Sequence, residues 1–97
     1  PAPVDFDRVV NRIKERYKYT LHDLRSQNRT KELSLVRQIA MYLMKRMTDK
    51  SLQEIGAFLG RKDHTTVKYA VQKIDEMCAS DPAFGRQLKA LEQEISR

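Results

Sequence analysis

The stretch "GRKDHTTV", residues 60–67, decides how this chain is read. It follows the amphipathic run "SLQEIGAFL", residues 51–59, and sets two cations, an acid, an imidazole and two threonines where a second amphipathic run begins. Downstream, Val67, Ala70, Val71, Ile74 and Cys78 recur at helical spacing. With Val67 at zero and 100° per residue, these five fall between about 300° and about 40° around a helix axis. Thr65, Lys68 and Gln72 come out near ~160°, ~100° and ~140°, away from that stripe, with His64 and Thr66 on its flanks. The spacing therefore predicts a helix over residues 63–79 that buries one side and exposes the short polar side chains of its first turn.

Working upstream, "SLQE" at residues 51–54 is a capping box, in which Ser51 and Glu54 each serve the other's backbone amide, and Leu52, Ile55 and Leu59 give its helix an apolar side. Gly60 falls just past the last turn, where a glycine usually ends a helix. Two helices joined by a short glycine-containing turn, the second amphipathic, describe a helix-turn-helix over residues 51–79, with a turn about one residue longer than the commonest form.

The rest of the chain reads as helix too. Phe6, Val9, Val10, Ile13 and Tyr17 make a first stripe with Asp5 placed to cap it, and "TLHD" at residues 20–23 opens a short second helix. Residues 26–31, "SQNRTK", are polar and aperiodic and are expected to form a basic loop. A long helix over residues 33–47 would bury Val36, Ile39, Ala40, Leu43 and Met47. A final helix begins at "SDP", with Pro82 at its first position and Phe84, Leu88, Leu91 and Ile95 as its stripe. The expected fold is all-α, about six helices arranged around the helix-turn-helix. Few glycines and prolines, three of each, agree with that.

At 97 residues the chain is expected to be a single domain with residues 1–4 as a linker remnant, and its start at Pro1 reads as a fragment of something longer. No apolar run approaches the roughly 18 residues of a membrane span. The one cysteine, Cys78, has no partner for an internal disulfide, which fits a reducing cytoplasm. Net charge is +6, and it is localised. Residues 25–50 hold seven cations against two acids, and residues 61–73 hold four against Asp63 alone, whereas residues 81–97 are balanced. Such patches are the footprint of a polyanion-binding face, although cations on helices also simply solubilise them.

Three uses of the cluster can be weighed. Catalysis fits badly, because Asp63 and His64 project about 100° apart, and no phosphate loop, GxSxG or HExxH pattern occurs. His22, His64 and Cys78 are too few and scattered for zinc, so neither an enzyme nor a metal site is expected. Helix capping explains Asp63 but not His64, Thr65 or the preceding Arg61 and Lys62. Nucleic-acid readout accounts for all of them. A recognition helix enters the major groove N-terminus first, so short side chains meet base edges: Thr presents a hydroxyl and a methyl, Asp accepts from cytosine, His donates. Lys62 and the helix N-terminus can hold flanking phosphates.

At this point the residues carry a resemblance. "GRKDHTTVKYAVQKI", with "SLQEIG" before it and "RQIAMYL" earlier, resembles the C-terminal DNA-binding domain of the bacterial chromosomal replication initiator (DnaA) family, from about residue 4 to 74. The resemblance implies a Trp-repressor-like, all-α domain binding short asymmetric boxes of double-stranded DNA in the replication origin. It implies major-groove readers at Asp63, His64, Thr65 and Thr66 and a minor-groove arginine at Arg29. Phosphate contacts are implied at Arg37, Gln38, Lys45 and Lys62, with Thr48, Ser51, Leu52 and Gln53 also against the backbone. Lys31, Lys50 and Lys68 complete the expected backbone-binding set. It further implies that ATP is bound by an AAA+ domain outside these residues, that this domain has no cofactor and is monomeric, and that the full-length protein oligomerises on DNA.

The chain departs from the family pattern at Leu35 and Val36, where many members carry Arg-Pro. Losing the proline allows the long helix to start earlier, and Glu32 adds an acid beside the expected DNA backbone. Four methionines, Met41, Met44, Met47 and Met77, read as core fillers, Tyr17, Tyr19, Tyr42 and Tyr69 as packing residues, Cys78 as a buried small hydrophobe and His22 as a surface residue. Two alternatives remain at this stage: a transposition-associated protein or repressor using the same module, or a helical adaptor whose basic face meets an acidic protein.

Overall fold

The computed structural model describes residues 4–61 and 63–97, and among them it contains six α-helices and no strand. α1 (Phe6–Tyr17) starts on Asp5, whose carboxylate accepts from the Arg8 amide at 2.9 Å, and ends on Lys18 at φ 68°. Its apolar stripe buries Val9, Val10 and Ile13. α2 (Leu21–Arg25) is a five-residue helix held by the reciprocal capping box of Thr20 and Asp23. So short a helix has little stability of its own, and its place depends on the buried Leu24 and on what meets its carbonyls.

α3 (Lys31–Met47) begins at Lys31, two residues before the expected start, so the loop between α2 and α3 narrows to residues 26–30. The Ser34 amide closes the first turn on the Thr30 carbonyl at 2.9 Å, and Leu35 and Val36, unlike a proline, leave the helix nothing to break on. α3 is buried nearly all round, at Leu33, Val36, Ile39, Ala40, Met41, Tyr42, Leu43 and Met44. A helix covered on nearly every side along its middle belongs at the centre of a protein, with its charged residues Lys31, Glu32, Lys45 and Arg46 left exposed at the two ends. α1, α2, α4 and α5 all pack on it, with α5 making the broadest contact.

α4 (Leu52–Phe58) opens on the Ser51–Glu54 capping box, and Gly60 follows it at φ 72°, the left-handed conformation that favours glycine. α5 (His64–Ser80) and α6 (Pro82–Ser96) complete the fold, with Asp63 and Asp81 as their N-caps. At Gly56, α4 lies close to both the turn and α5: a Cβ would come to 3.2 Å of the Arg61 carbonyl and 3.5 Å of the Val67 side chain. α6 closes against α5 and α1 through Leu88, Leu91 and Ile95. Met47 and Met77 are half-buried against the core, as are Cys78 and Val71, which the sequence stripe had placed fully inside.

Candidate nucleic-acid interface

The first turn of α5 is shaped by its own cap. The Asp63 Oδ1 accepts from the Thr65 amide at 2.9 Å and from the Thr65 hydroxyl at 2.6 Å. The Thr65 hydroxyl holds the Asp63 carboxyl below its ordinary range, and the Thr65 amide adds to that. Asp63, His64, Thr65 and Thr66 are all exposed, while Val67 and Ala70 behind them are buried. The helical wheel read from the sequence thus has its physical counterpart. The apolar stripe anchors α5 on α3, so the opposite side of the first turn has to face outward.

Beside this turn lies the loop of residues 26–30. It is organised by its own polar side chains: the Ser26 hydroxyl donates to the Asp23 carbonyl at 2.7 Å, and the Thr30 amide donates to the Asn28 side-chain oxygen at 3.0 Å. Arg29 projects from it, exposed. A cleft of about 630 Å³ separates loop from helix, lined by Arg29, Ser34, Arg37, Gln38, Arg61, Asp63, Thr66 and Tyr69 among others. Two elements far apart in sequence therefore share one basic cleft.

Arg37 departs from the sequence reading, which set it on a phosphate. Only 7% of it is exposed, and its guanidinium is turned onto the protein's own backbone. Nε donates to the Leu24 carbonyl at 2.8 Å, and Nη2 lies 3.1–3.3 Å from the carbonyls of Asp23, Ser26 and Asn28. A cation placed at the last carbonyls of α2 satisfies groups that a helix end leaves open and complements its dipole. Burial lowers the Arg37 pKa, and the neighbouring charges of Arg61 and Arg29 push the same way. Three arginines thus converge on the cleft.

The other expected contacts sit as follows. Gln38 lines the same cleft half-buried, and its side-chain oxygen is enclosed with no hydrogen-bond partner among the described residues. Lys31, Lys45, Lys50, Gln53 and Lys68 are exposed, but none of them lines the cleft. Thr48 and Leu52 are half-buried. The Thr48 hydroxyl donates to the Met44 carbonyl at 2.6 Å, and the Ser51 hydroxyl accepts from the Glu54 amide at 3.1 Å, so both already serve as caps. His64 and Gln53 line a shallower hollow next to Gly60 and Arg61. Lys62 lies outside the described residues. Glu32, the acid expected beside the DNA backbone, accepts from the Tyr19 hydroxyl at 2.8 Å, which ties it toward the connection between α1 and α2.

Tyr69 and Arg61 take places at the cleft that the sequence did not assign to them. Tyr69, read as a packing residue, is 64% exposed. It sits one turn beyond Thr65 and lines the cleft, and its position three residues after Thr66 was the signal available in the sequence. Arg61 reaches 35 residues back, donating from Nη2 to the Ser26 carbonyl at 3.0 Å, and no local pattern announces such a contact.

Among the described residues no cluster of three His, Cys, Asp or Glu side chains could hold a metal ion, and no helix is long and apolar enough to cross a membrane. Comparison with known proteins agrees with the geometry. Residues 6–74 match the model of the bacterial dnaA protein helix-turn-helix family. Over 87 residues the chain is 44% identical to the chromosomal replication initiator protein DnaA of Gloeothece citriformis, covering 90% of this chain and 19% of that protein. It is 37% identical over 94 residues to the protein of the same name from Bdellovibrio bacteriovorus, covering 97% of this chain and 20% of that one. A third, from Rickettsia akari, is 39% identical over 88 residues. The chain spans about a fifth of the length of these relatives. With a helix-turn-helix whose second helix opens on exposed Asp63, His64, Thr65 and Thr66, and a family match that runs through all of α1 to α4 and most of α5, this chain belongs to the bacterial dnaA protein helix-turn-helix family.

Proposed function

We propose that this chain binds double-stranded DNA sequence-specifically, at short boxes of a replication origin, as the DNA-reading part of a replication initiator. The first turn of α5 enters the major groove, and Arg29 on the loop of residues 26–30 enters the adjacent minor groove. The observation that carries this reading is the shared cleft, with the exposed Asp63 and Thr66 of the first turn on one wall and the exposed Arg29 of the loop on the other.

The chemistry of the first turn supports readout of bases rather than general attraction. Asp63 is immobilised as a cap, which leaves its second carboxylate oxygen to accept from an exocyclic amine. Thr65, hydrogen-bonded to that carboxylate, meets the duplex already oriented, so little side-chain freedom is lost on binding. His64 and Thr66 flank them, and His64 adds a ring donor. The exposed Lys31, Lys45, Lys50 and Lys68, together with Lys62, supply the phosphate contacts that set register. The ATP-dependent and oligomerising steps of such an initiator belong to the four-fifths of the relatives' length outside this chain.

The test is a pair of titrations. Binding to a box that the chain enriches from a random duplex pool is compared with binding to a scrambled duplex over a range of salt. About six phosphate contacts give a slope of log K against log salt near −5, at roughly −0.9 per contact. Thr65→Ala costs about 1–3 kcal/mol on the box and little on the scrambled duplex. Equal losses on both duplexes would remove Thr65 from base reading. No preference of the unaltered chain for any duplex would favour an adaptor that meets an acidic protein.

A further inference from the structure

The loop of residues 26–30 and the turn between α4 and α5 are tied together twice, in opposite directions. At the end of α2, where the loop begins, the Arg25 Nε donates to the carbonyl of Phe58 at the end of α4 at 2.7 Å, and its guanidinium lies 5.0 Å from the centre of the Phe58 ring. From the turn, the Arg61 Nη2 donates to the Ser26 carbonyl at 3.0 Å. Gly60 packs on the Arg25 stem, where an added Cβ would meet Arg25 atoms at 3.9–4.0 Å. The Arg61 amide is itself pinned to the Gly56 carbonyl at 2.7 Å, so the arm that reaches Ser26 springs from a fixed backbone.

We propose that Arg61 is a positioning residue: by holding the Ser26 carbonyl it sets the distance between the loop that carries Arg29 and the first turn of α5, so the two groove readers act at one spacing. This rests on the DNA-reading function proposed above. Arg61 itself need touch no base. The geometry favours this role over a phosphate contact, because the arginine is half-buried and its guanidinium is directed across the protein to a backbone carbonyl. Arg37 of α3 donates to the same carbonyl at 3.1 Å, so the Ser26 carbonyl accepts from two cations, one on a helix and one on the turn. Removing Arg61 leaves the Arg37 grip and the Arg25–Phe58 tie in place, so the loop stays folded against α3 but loses its direct hydrogen bond to the turn that leads into α5.

The experiment measures each single-base-pair variant of the enriched box with the unaltered chain, Arg29→Ala, Thr65→Ala and Arg61→Met. The positions that lose discrimination in Arg29→Ala mark the minor-groove end, and those lost in Thr65→Ala mark the major-groove end. In Arg61→Met, discrimination of about tenfold per base pair at the minor-groove end falls below about threefold, while the major-groove end and the salt slope are unchanged. In Arg61→Lys, which keeps the charge but not the reach of the guanidinium fork, total affinity and slope are retained and the minor-groove discrimination is still lost. This second variant also carries the test should the methionine chain fold poorly. A uniform weakening with a slope flatter by about one unit, repaired by lysine, would make Arg61 a phosphate contact and overturn the proposal. Unchanged discrimination in both variants would overturn it as well. If the unaltered chain preferred no duplex, the DNA-reading function itself would fall instead.

Discussion

Replacing Arg37 by methionine separates its two conceivable roles. The structure commits Nε and Nη2 to four backbone carbonyls, and Nη2, with two hydrogens for three acceptors, completes at most two of its bonds. That leaves about three charge-assisted bonds, each roughly 1.5–3 kcal/mol. Against them stand the burial of a guanidinium and the repulsion of Arg61 and Arg29. Methionine keeps the apolar stem packed but takes the donor from the Leu24 and Asn28 carbonyls, while Asp23 and Ser26 keep their other partners. A net loss of about 3 kcal/mol is expected, out of the 5–15 kcal/mol typical of a domain this size. At about 4–8 °C per kcal/mol, the melting midpoint should fall by roughly 12–24 °C. Helical circular dichroism against temperature and urea reads this directly, and amide exchange should speed up first within residues 26–30. A midpoint within about 3 °C of the parent, together with a salt slope of DNA binding flatter by about one unit, would show that Arg37 is an ordinary phosphate cation and that the clamp does not matter.

Other outcomes follow from the same geometry. Gly60→Ala forces a side chain into φ 72° and should cost about 1–2 kcal/mol in urea unfolding; no loss would mean the turn relaxes. Lys45→Ala should weaken box and scrambled duplex alike and flatten the salt slope by about one unit, whereas a loss confined to the box would make Lys45 a base reader. The Asp23 carboxyl, held down chiefly by the Thr20 amide, and Asp63, held down chiefly by the Thr65 hydroxyl, both have folded pKa values below their unfolded ones. Folding then releases protons from them, so their contribution is complete above the ordinary carboxylate range and disappears as pH falls through it. Urea midpoints should hold steady from about pH 5 upward and drop between about pH 4 and 2, less so in the Asp23→Asn, Asp63→Asn double variant. An unchanged acid slope in that variant would contradict the assignment.

The sequence by itself determined the parts of this protein that depend on near neighbours. Caps and stripes act over three or four residues, so Asp5, Thr20, Ser51, Asp63 and Pro82 announce five helix starts, and the stripe through Val67, Ala70 and Ile74 already decides that Thr65 faces outward. The motif "DHTTV" and the charge map were enough to point to DNA. Tertiary structure decided what each cation does. Arg29, Arg37 and Arg61 are alike as letters, yet one is exposed on a loop, one is buried against the end of a neighbouring helix, and one bridges from the turn to Ser26. Tyr69 differs from Tyr42 in the same way, exposed because α5 shows solvent the face that α3 does not cover. A long, flexible, charged side chain takes its partner from whatever the fold brings within about 6–7 Å of its backbone, and that distance is set by packing between segments tens of residues apart.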